Sequence, residues 1–175
     1  CLQTLTGHTY EVHSASYSPD GTKIVSASSD NTIKIWDANT GTCLQTLKGH
    51  TDNVWSASYS PDGRKIVSAS KDNTIKIWDA NTGRCLQTLK GHTNWVISAS
   101  YSTDGTKIVS ASCDKTIKIW DANRGRCLQT LKGHTNTVNS ASYSPDGRKI
   151  LSASWDKTIK IWDANTGSCL QTLTG

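Results

Sequence analysis

The stretch from Cys43 to Arg84 decides the fold, and it reads CLQTLKGHTDNVWSASYSPDGRKIVSASKDNTIKIWDANTGR. The same unit of 42 residues occurs four times, over 1–42, 43–84, 85–126 and 127–168, and 31 of its 42 positions are identical in all four copies. A fixed period of this length is typical of proteins built from stacked supersecondary units. Residues 169–175 repeat the first seven residues, CLQTLTG, so we treat 1–175 as a single repeat domain with a closing segment.

Each copy divides into four short segments that are separated by turn residues. In the second copy we expect strands over 53–60, 65–70, 74–79 and 85–89. The third segment, TIKIWD, alternates apolar and polar side chains, as a strand does. Gly, Pro, Asn and Asp lie between the segments, and these residues are typical of tight turns. No stretch has the spacing of an amphipathic helix, so the sequence predicts an all-β protein.

Four strands joined by short turns form an antiparallel meander, and one such sheet cannot bury both of its faces. The copies must therefore pack face to face, and radial packing of four-stranded sheets gives a β-propeller. The Ser-Ala-Ser runs suit the innermost strand, where small side chains fit near the axis.

The order Gly-His, Ser-Ala-Ser-x-Asp and Ile-Trp-Asp, at a period of 42 residues, resembles the WD40 repeat over the whole chain. The resemblance implies a buried hydrogen-bond network of one His, one Ser, one Asp and one Trp in each blade. Either Ser26 or Ser28 fills the serine place in the first copy. The matching sets are His8, Ser26, Asp30, Trp36; His50, Ser68, Asp72, Trp78; His92, Ser110, Asp114, Trp120; and His134, Ser152, Asp156, Trp162.

The formal charge of +5 comes largely from lysines that recur with the repeat. A charge spread around an architecture does not form the clustered patch that nucleic acid requires, so we expect no nucleic-acid partner. No run of 18 apolar residues occurs, and we expect no membrane span. Five of the six cysteines share one repeat position. Free thiols fit a reducing compartment, and we expect the cytoplasm.

Three kinds of chemistry are weighed and set aside. A His-Ser-Asp set is typical of hydrolases, but four identical sets indicate scaffolding networks rather than catalysis. The Cys and His of one unit, such as Cys43 and His50, lack the spacing of paired zinc ligands. There is no glycine-rich phosphate loop. We therefore predict neither enzyme activity nor a metal or cofactor.

The differences between copies are concentrated at a few positions of the unit, counted from its Cys. Positions 11, 13 and 29 differ in every copy, and position 10 takes three residue types. In a meander the loop before the first strand and the turn between strands two and three share one end of the sheet. We therefore predict one variable mouth, formed by Tyr10, Glu11, His13, Ser29; Asp52, Asn53, Trp55, Lys71; Asn94, Trp95, Ile97, Cys113; and Asn136, Thr137, Asn139, Trp155.

We interpret the variable mouth as a surface that binds a protein or peptide. Trp55, Trp95 and Trp155 lie outside the structural Trp series, and exposed tryptophans are enriched in binding hot spots. In WD40 proteins, the family that the chain resembles, this mouth is a common partner-binding surface. Near-identical repeats with local variation also resemble the sensor repeats of NLR-like signalling proteins. The alternative is an engineered or recently amplified structural repeat protein that has no ligand of its own and self-assembles into a closed ring.

Four blades of this kind do not complete a circle. A blade of a seven- or eight-bladed ring spans a wedge of roughly 45–51°, so we predict that two chains close an eight-bladed ring as a homodimer. The chain has five copies of the outer strand and four of each other strand. We expect Leu170–Leu173 to fill the shared outer-strand place and Leu2–Leu5 to be displaced.

Overall fold

A computed structural model of the chain describes residues 1–174, which fold into sixteen short strands. This part of the chain contains no helix that is long and apolar enough to cross a membrane. The strands are β1 Val12–Tyr17, β2 Lys23–Ser28, β3 Thr32–Asp37, β4 Cys43–Lys48, β5 Val54–Tyr59, β6 Lys65–Ser70, β7 Ile75–Asp79, β8 Cys85–Leu89, β9 Val96–Tyr101, β10 Lys107–Ser112, β11 Ile117–Asp121, β12 Cys127–Leu131, β13 Val138–Tyr143, β14 Lys149–Ser154, β15 Thr158–Asp163 and β16 Cys169–Thr174.

The strands form four antiparallel sheets, each a meander of four consecutive strands. The predicted all-β class and the four four-stranded blades are therefore confirmed. The first strands of successive blades lie side by side at the inner edge of the stack. Hydrogen bonds join the first strands of blades 1, 2 and 3: Ser14 Oγ accepts from the Ala57 amide at 3.1 Å, and Ser56 Oγ accepts from the Ala99 amide at 3.2 Å. The small side chains of this strand allow that close approach.

Successive blades pack through an apolar junction that is repeated three times. Each blade presents a trailing face, which in blade 1 comprises Val25, Ala27, Ile33, Ile35 and Leu47. The next blade covers it with a leading face, which in blade 2 comprises Val54, Ala57, Tyr59, Ile66 and Trp78. The equivalent residues form the other two junctions. Because strand side chains alternate, each sheet can be apolar on both faces, as sandwiched sheets must be.

The stack is open at its two ends. Val12, on the leading face of blade 1, is 53% exposed, whereas its equivalent Val54 is completely buried. Leu151, on the trailing face of blade 4, is 48% exposed, whereas the equivalent Val109 is completely buried. A groove of about 300 Å³ runs along the open leading face and is lined by Leu5, Val12, Ile24 and Trp36, among others. Each open face is a copy of a face that elsewhere pairs with a blade.

The two copies of the CLQTLTG segment lie in different settings. Residues 169–174 form β16, which pairs with β15 as the outer strand of blade 4; Gly175, the end of the predicted closing segment, lies outside the described residues. Residues 1–11 form no strand. Gln3 nevertheless lies over Gly41 as Gln45 lies over Gly83. The first segment therefore occupies the place that the outer strand of a preceding blade would take.

A β-bulge falls at position 13 of every copy. In blade 1, Val12 pairs with Ser28 and Ser14 pairs with Ala27, so that His13 has no partner on β2. The same shift occurs in the other three blades. Regular alternation predicts that positions 11 and 13 share one strand face, but the bulge interrupts that alternation. The direction of the position 13 side chain is thus set by the bulge, a device that re-aims side chains.

Candidate interaction surface

The predicted His, Ser, Asp and Trp of each blade form one hydrogen-bonded chain. In blade 2, Trp78 Nε1–H donates to Ser68 Oγ at 2.8 Å, and Ser68 Oγ lies 2.8 Å from His50 Nε2. His50 Nδ1 lies 2.7 Å from Asp72 Oδ2. The same chain occurs in all four blades, and Ser26 rather than Ser28 takes the serine place in blade 1. Hydrogen bonds that follow one another in this way polarise and strengthen one another.

The aspartate that ends each chain is held as a carboxylate. Burial alone raises the pKa of Asp72, but hydrogen bonds from His50, the Thr74 hydroxyl and the Thr51 amide outweigh this effect. The pKa therefore lies well below its usual range, as do those of Asp30, Asp114 and Asp156. Thr51 belongs to the loop before the first strand, whereas Thr74 follows the turn after the second. The carboxylate thus ties together the two segments that carry the variable positions.

The Asp-His-Ser geometry has the connectivity of a hydrolase triad, but its surroundings differ from those of a nucleophile. Ser68 and Ser110 are fully buried, and each hydroxyl oxygen also accepts a hydrogen bond from an indole N–H.

Gly49 leaves room for the network, because a Cβ at this position would lie 3.1 Å from the Trp78 ring. In the described residues no group of three or more His, Cys, Asp or Glu side chains is placed to hold a metal ion.

The network positions the variable residues at one end of each sheet. The amide of position 29 donates to the carbonyl of position 11 at 2.9 Å in every blade, as Lys71 does to Asn53. The hydroxyl of position 28 donates to the carbonyl of position 10, as Ser70 does to Asp52 at 3.0 Å. Positions 10, 11 and 29 therefore lie together in each blade, next to the bulged position 13. We refer to these sixteen residues as the variable mouth.

The members of the variable mouth differ in exposure. Tyr10, Trp155 and Trp95 project most, with exposed fractions of 68%, 65% and 40%. Trp55 does not project with them, because its ring lies 4.2 Å from the His13 ring and its Nε1 is buried without a hydrogen-bond partner. Our interpretation of Trp55 as an exposed aromatic was therefore wrong. The alternation of one strand does not reveal a side chain that a neighbouring blade covers.

The remaining residues of the mouth form its base and rim. Thr137 is buried, and Ile97, Cys113 and Asn139 are half-buried. His13 Nε2 lies 2.6 Å from Ser29 Oγ, which links two variable positions within blade 1. Glu11, Asn94 and Asn136 are exposed. The surface that a partner could contact is thus narrower than the set of sixteen residues.

The end of the sheets opposite the variable mouth carries buried polar groups for which the sequence predicts no role. A groove of about 490 Å³ is lined there by the Ser-Tyr-Ser ends of the first strands. The Tyr59, Tyr101 and Tyr143 hydroxyls are buried without a partner. Burial, together with the nearby Asp20 carboxylate, raises the pKa of Tyr59 to about 12. Because these residues are identical in every copy, comparison of the copies could not single them out.

The family model described as "WD domain, G-beta repeat" matches residues 1–37, 41–79, 83–121 and 125–163. The chain belongs to the WD40 repeat family. Similar curated proteins match only short stretches of about one repeat. Vegetative incompatibility protein HET-E-1 of Podospora anserina is 57% identical over 42 residues, which is 24% of this chain and 3% of that protein.

Two further relatives give a similar picture. Ribosome assembly protein 4 of Saccharomyces cerevisiae is 50% identical over 40 residues, which is 23% of this chain and 8% of that protein. The Notchless protein homolog of Arabidopsis thaliana is 45% identical over 42 residues, which is 24% of this chain and 9% of that protein. The matched stretches thus span less than a tenth of the length of these three relatives.

Proposed function

We propose that this WD40 chain is a non-catalytic interaction scaffold that binds a protein or peptide on the variable mouth. The observation that carries the proposal is the projection of Tyr10, Trp95 and Trp155 from a rigid, network-held end. Exposed aromatic rings with polar neighbours are the usual anchors of protein interfaces. Ribosome assembly protein 4, which is named for a role in assembly, shares this repeat, and this supports the proposal of a scaffold. Six free thiols support a cytoplasmic location.

Peptides selected from a displayed library against the whole chain test this function. We expect Trp95→Ala to weaken the selected peptides at least tenfold, as the loss of a hot-spot aromatic does. The matched control is Tyr17→Ala, because Tyr17 is exposed at the end of β1 that lies away from the mouth. Failure to select any peptide, or peptides that depend on Tyr17 but not Trp95, would favour the alternative of a structural repeat protein without a ligand.

We also propose that two copies of the chain close an eight-bladed ring. The support is the match between the two open ends. The trailing face of blade 4 carries the exposed Leu151, Ile159 and Leu173, and the leading face of blade 1 carries the exposed Val12 beside the half-buried Ile24. Their equivalents bury one another at all three internal junctions. A second copy therefore supplies the surface that each end lacks, and a two-fold axis makes both closing junctions identical.

Sedimentation equilibrium of the whole chain tests the ring. We expect a dimer at micromolar concentration, and Ile159→Lys should convert it to a monomer because it places a charge in an apolar junction. Lys115→Glu, a charge change on an exposed turn, is the matched control and should leave the dimer intact. A wild-type chain that stays monomeric at micromolar concentration would refute the ring.

A further inference from the structure

Several residues that differ between the copies contact one another across blade boundaries. The Lys71 ammonium of blade 2 lies 4.6 Å from the centroid of the Trp95 ring of blade 3, within the range of a cation–π interaction. The His13 ring of blade 1 lies 4.2 Å from the Trp55 ring of blade 2. With the Asn53 amide oriented to satisfy its neighbours, it donates to the Ser29 carbonyl and accepts from the Ser29 hydroxyl, both at 3.2 Å.

These contacts follow the order of the repeat. Position 29 of one blade meets position 11 of the next, as in Ser29 with Asn53 and Lys71 with Trp95. Position 13 meets position 13 of the next blade, as in His13 with Trp55. The apolar junctions beneath these contacts are built from almost identical residues. The apolar junctions alone therefore cannot distinguish one neighbour from another, whereas the variable contacts can.

At each end of the stack of four blades, the residues at the variable positions lack the neighbouring blade that they would contact. Trp155 at position 29 and Asn139 at position 13 belong to blade 4, the last of the four blades in the described residues. Glu11 and His13, at positions 11 and 13, belong to blade 1, the first of these four blades. Glu11 is exposed and Trp155 projects from the surface. The indole of Trp155 carries an N–H donor, and the carboxylate of Glu11 only accepts.

We propose that Trp155 of one copy packs on Glu11 of the second copy, with its indole N–H donating to the carboxylate, and that these two residues select which ends of two chains join. The proposal rests on the two-copy ring put forward above. By the same rule Asn139 of one copy meets His13 of the second. In that ring the Trp155 ring contacts the second copy of the chain, and Tyr10 and Trp95 are the projecting aromatic residues that remain for a protein or peptide partner.

A double-mutant cycle on the dimer dissociation constant tests the pairing. A closed ring contains the junction twice, so the effect of a substitution on one junction is squared. If Trp155→Ala weakens each junction about tenfold, the dimer Kd rises about a hundredfold. Glu11→Gln should raise the Kd by a smaller factor, and the double variant should be no weaker than Trp155→Ala alone. Trp95→Ala is the matched control, because Trp95 lies at an internal junction, and it should leave the Kd unchanged.

The outcomes separate the two proposals. A wild-type dimer whose Kd ignores Trp155→Ala, or a cycle in which the two effects multiply independently, would overturn the pairing and leave the ring standing. A wild-type monomer would overturn both the ring and the pairing. A Kd that rises with Trp155→Ala and with Trp95→Ala to the same extent would indicate general destabilisation and would also overturn the pairing.

Discussion

Removal of one buried hydroxyl should show how much a single hydrogen-bond network contributes to stability. Ser68→Ala deletes the oxygen that accepts from Trp78 Nε1–H and contacts His50 Nε2, each at 2.8 Å, and water cannot replace it because Ser68 is completely buried. An unsatisfied buried polar group costs about 1–3 kcal/mol. Two such groups, less the desolvation of the serine itself, give an expected loss of about 2–3 kcal/mol in the free energy of unfolding.

The measurement is chemical denaturation followed by both tryptophan fluorescence and far-UV circular dichroism, since repeat proteins do not always unfold in two states. Ser26→Ala is the matched control. Ser26 makes the same contacts and is itself only 4% exposed, but it lines the groove on the open face of blade 1, from which water can enter the space that the hydroxyl leaves. At concentrations where the chain is monomeric we expect Ser26→Ala to cost about 1 kcal/mol. Equal costs for the two variants, or a cost for Ser68→Ala under about 0.5 kcal/mol, would refute the argument from burial.

Three further outcomes follow from the geometry. Lys157 has a φ of 69°, the left-handed conformation that Asn31 adopts in blade 1 with a φ of 66°. Because Asn tolerates this region better than Lys, Lys157→Asn should raise the free energy of unfolding by about 0.5 kcal/mol. A lower midpoint in chemical denaturation would contradict this expectation. Folding lowers the pKa of Asp72. The ionised Asp72 carboxylate therefore stabilises the fold above its unfolded pKa, near pH 4, and this stabilisation is lost as the pH falls further. The midpoint of thermal unfolding should decrease between pH 6 and pH 2, and a constant midpoint would contradict this expectation. Deletion of residues 1–6 removes a segment that covers the place of an outer strand, so the dimer should persist or tighten in sedimentation, and loss of the dimer would count against the displacement of Leu2–Leu5.

Much of the architecture could be predicted because each unit carries its own turn signals and alternation. The strands expected over 65–70 and 85–89 are found as Lys65–Ser70 and Cys85–Leu89. The first strand, expected over 53–60, is one residue shorter at each end, as Val54–Tyr59, and the third, expected over 74–79, begins one residue later, as Ile75–Asp79. The four-residue network was implied by the family resemblance. Only the structure shows that Ser26 rather than Ser28 joins the network, because both residues lie on β2 and only Ser26 accepts the hydrogen bond from Trp36.

The environment of the variable mouth could be predicted only in part. The sequence predicts that positions 10, 11 and 29 lie at one end of the sheet, because the order of strands and loops alone determines this placement. It could not show that His13 covers Trp55 or that Lys71 lies over Trp95, because such contacts depend on the rotation between neighbouring sheets. The bulge at position 13 was also missed, since the extra residue carries no glycine or proline to mark it.

The near-identity of the three internal junctions bears on how such a gene can change length. Recombination between any two copies, in register, deletes or duplicates whole 42-residue units. Every junction in the product is still built from the residue types of the apolar junctions already present in the parent. No new packing surface has to arise by mutation. The number of blades is then limited by the geometry of a closed ring. Only the few variable contacts between neighbouring blades at the mouth differ from one junction to another.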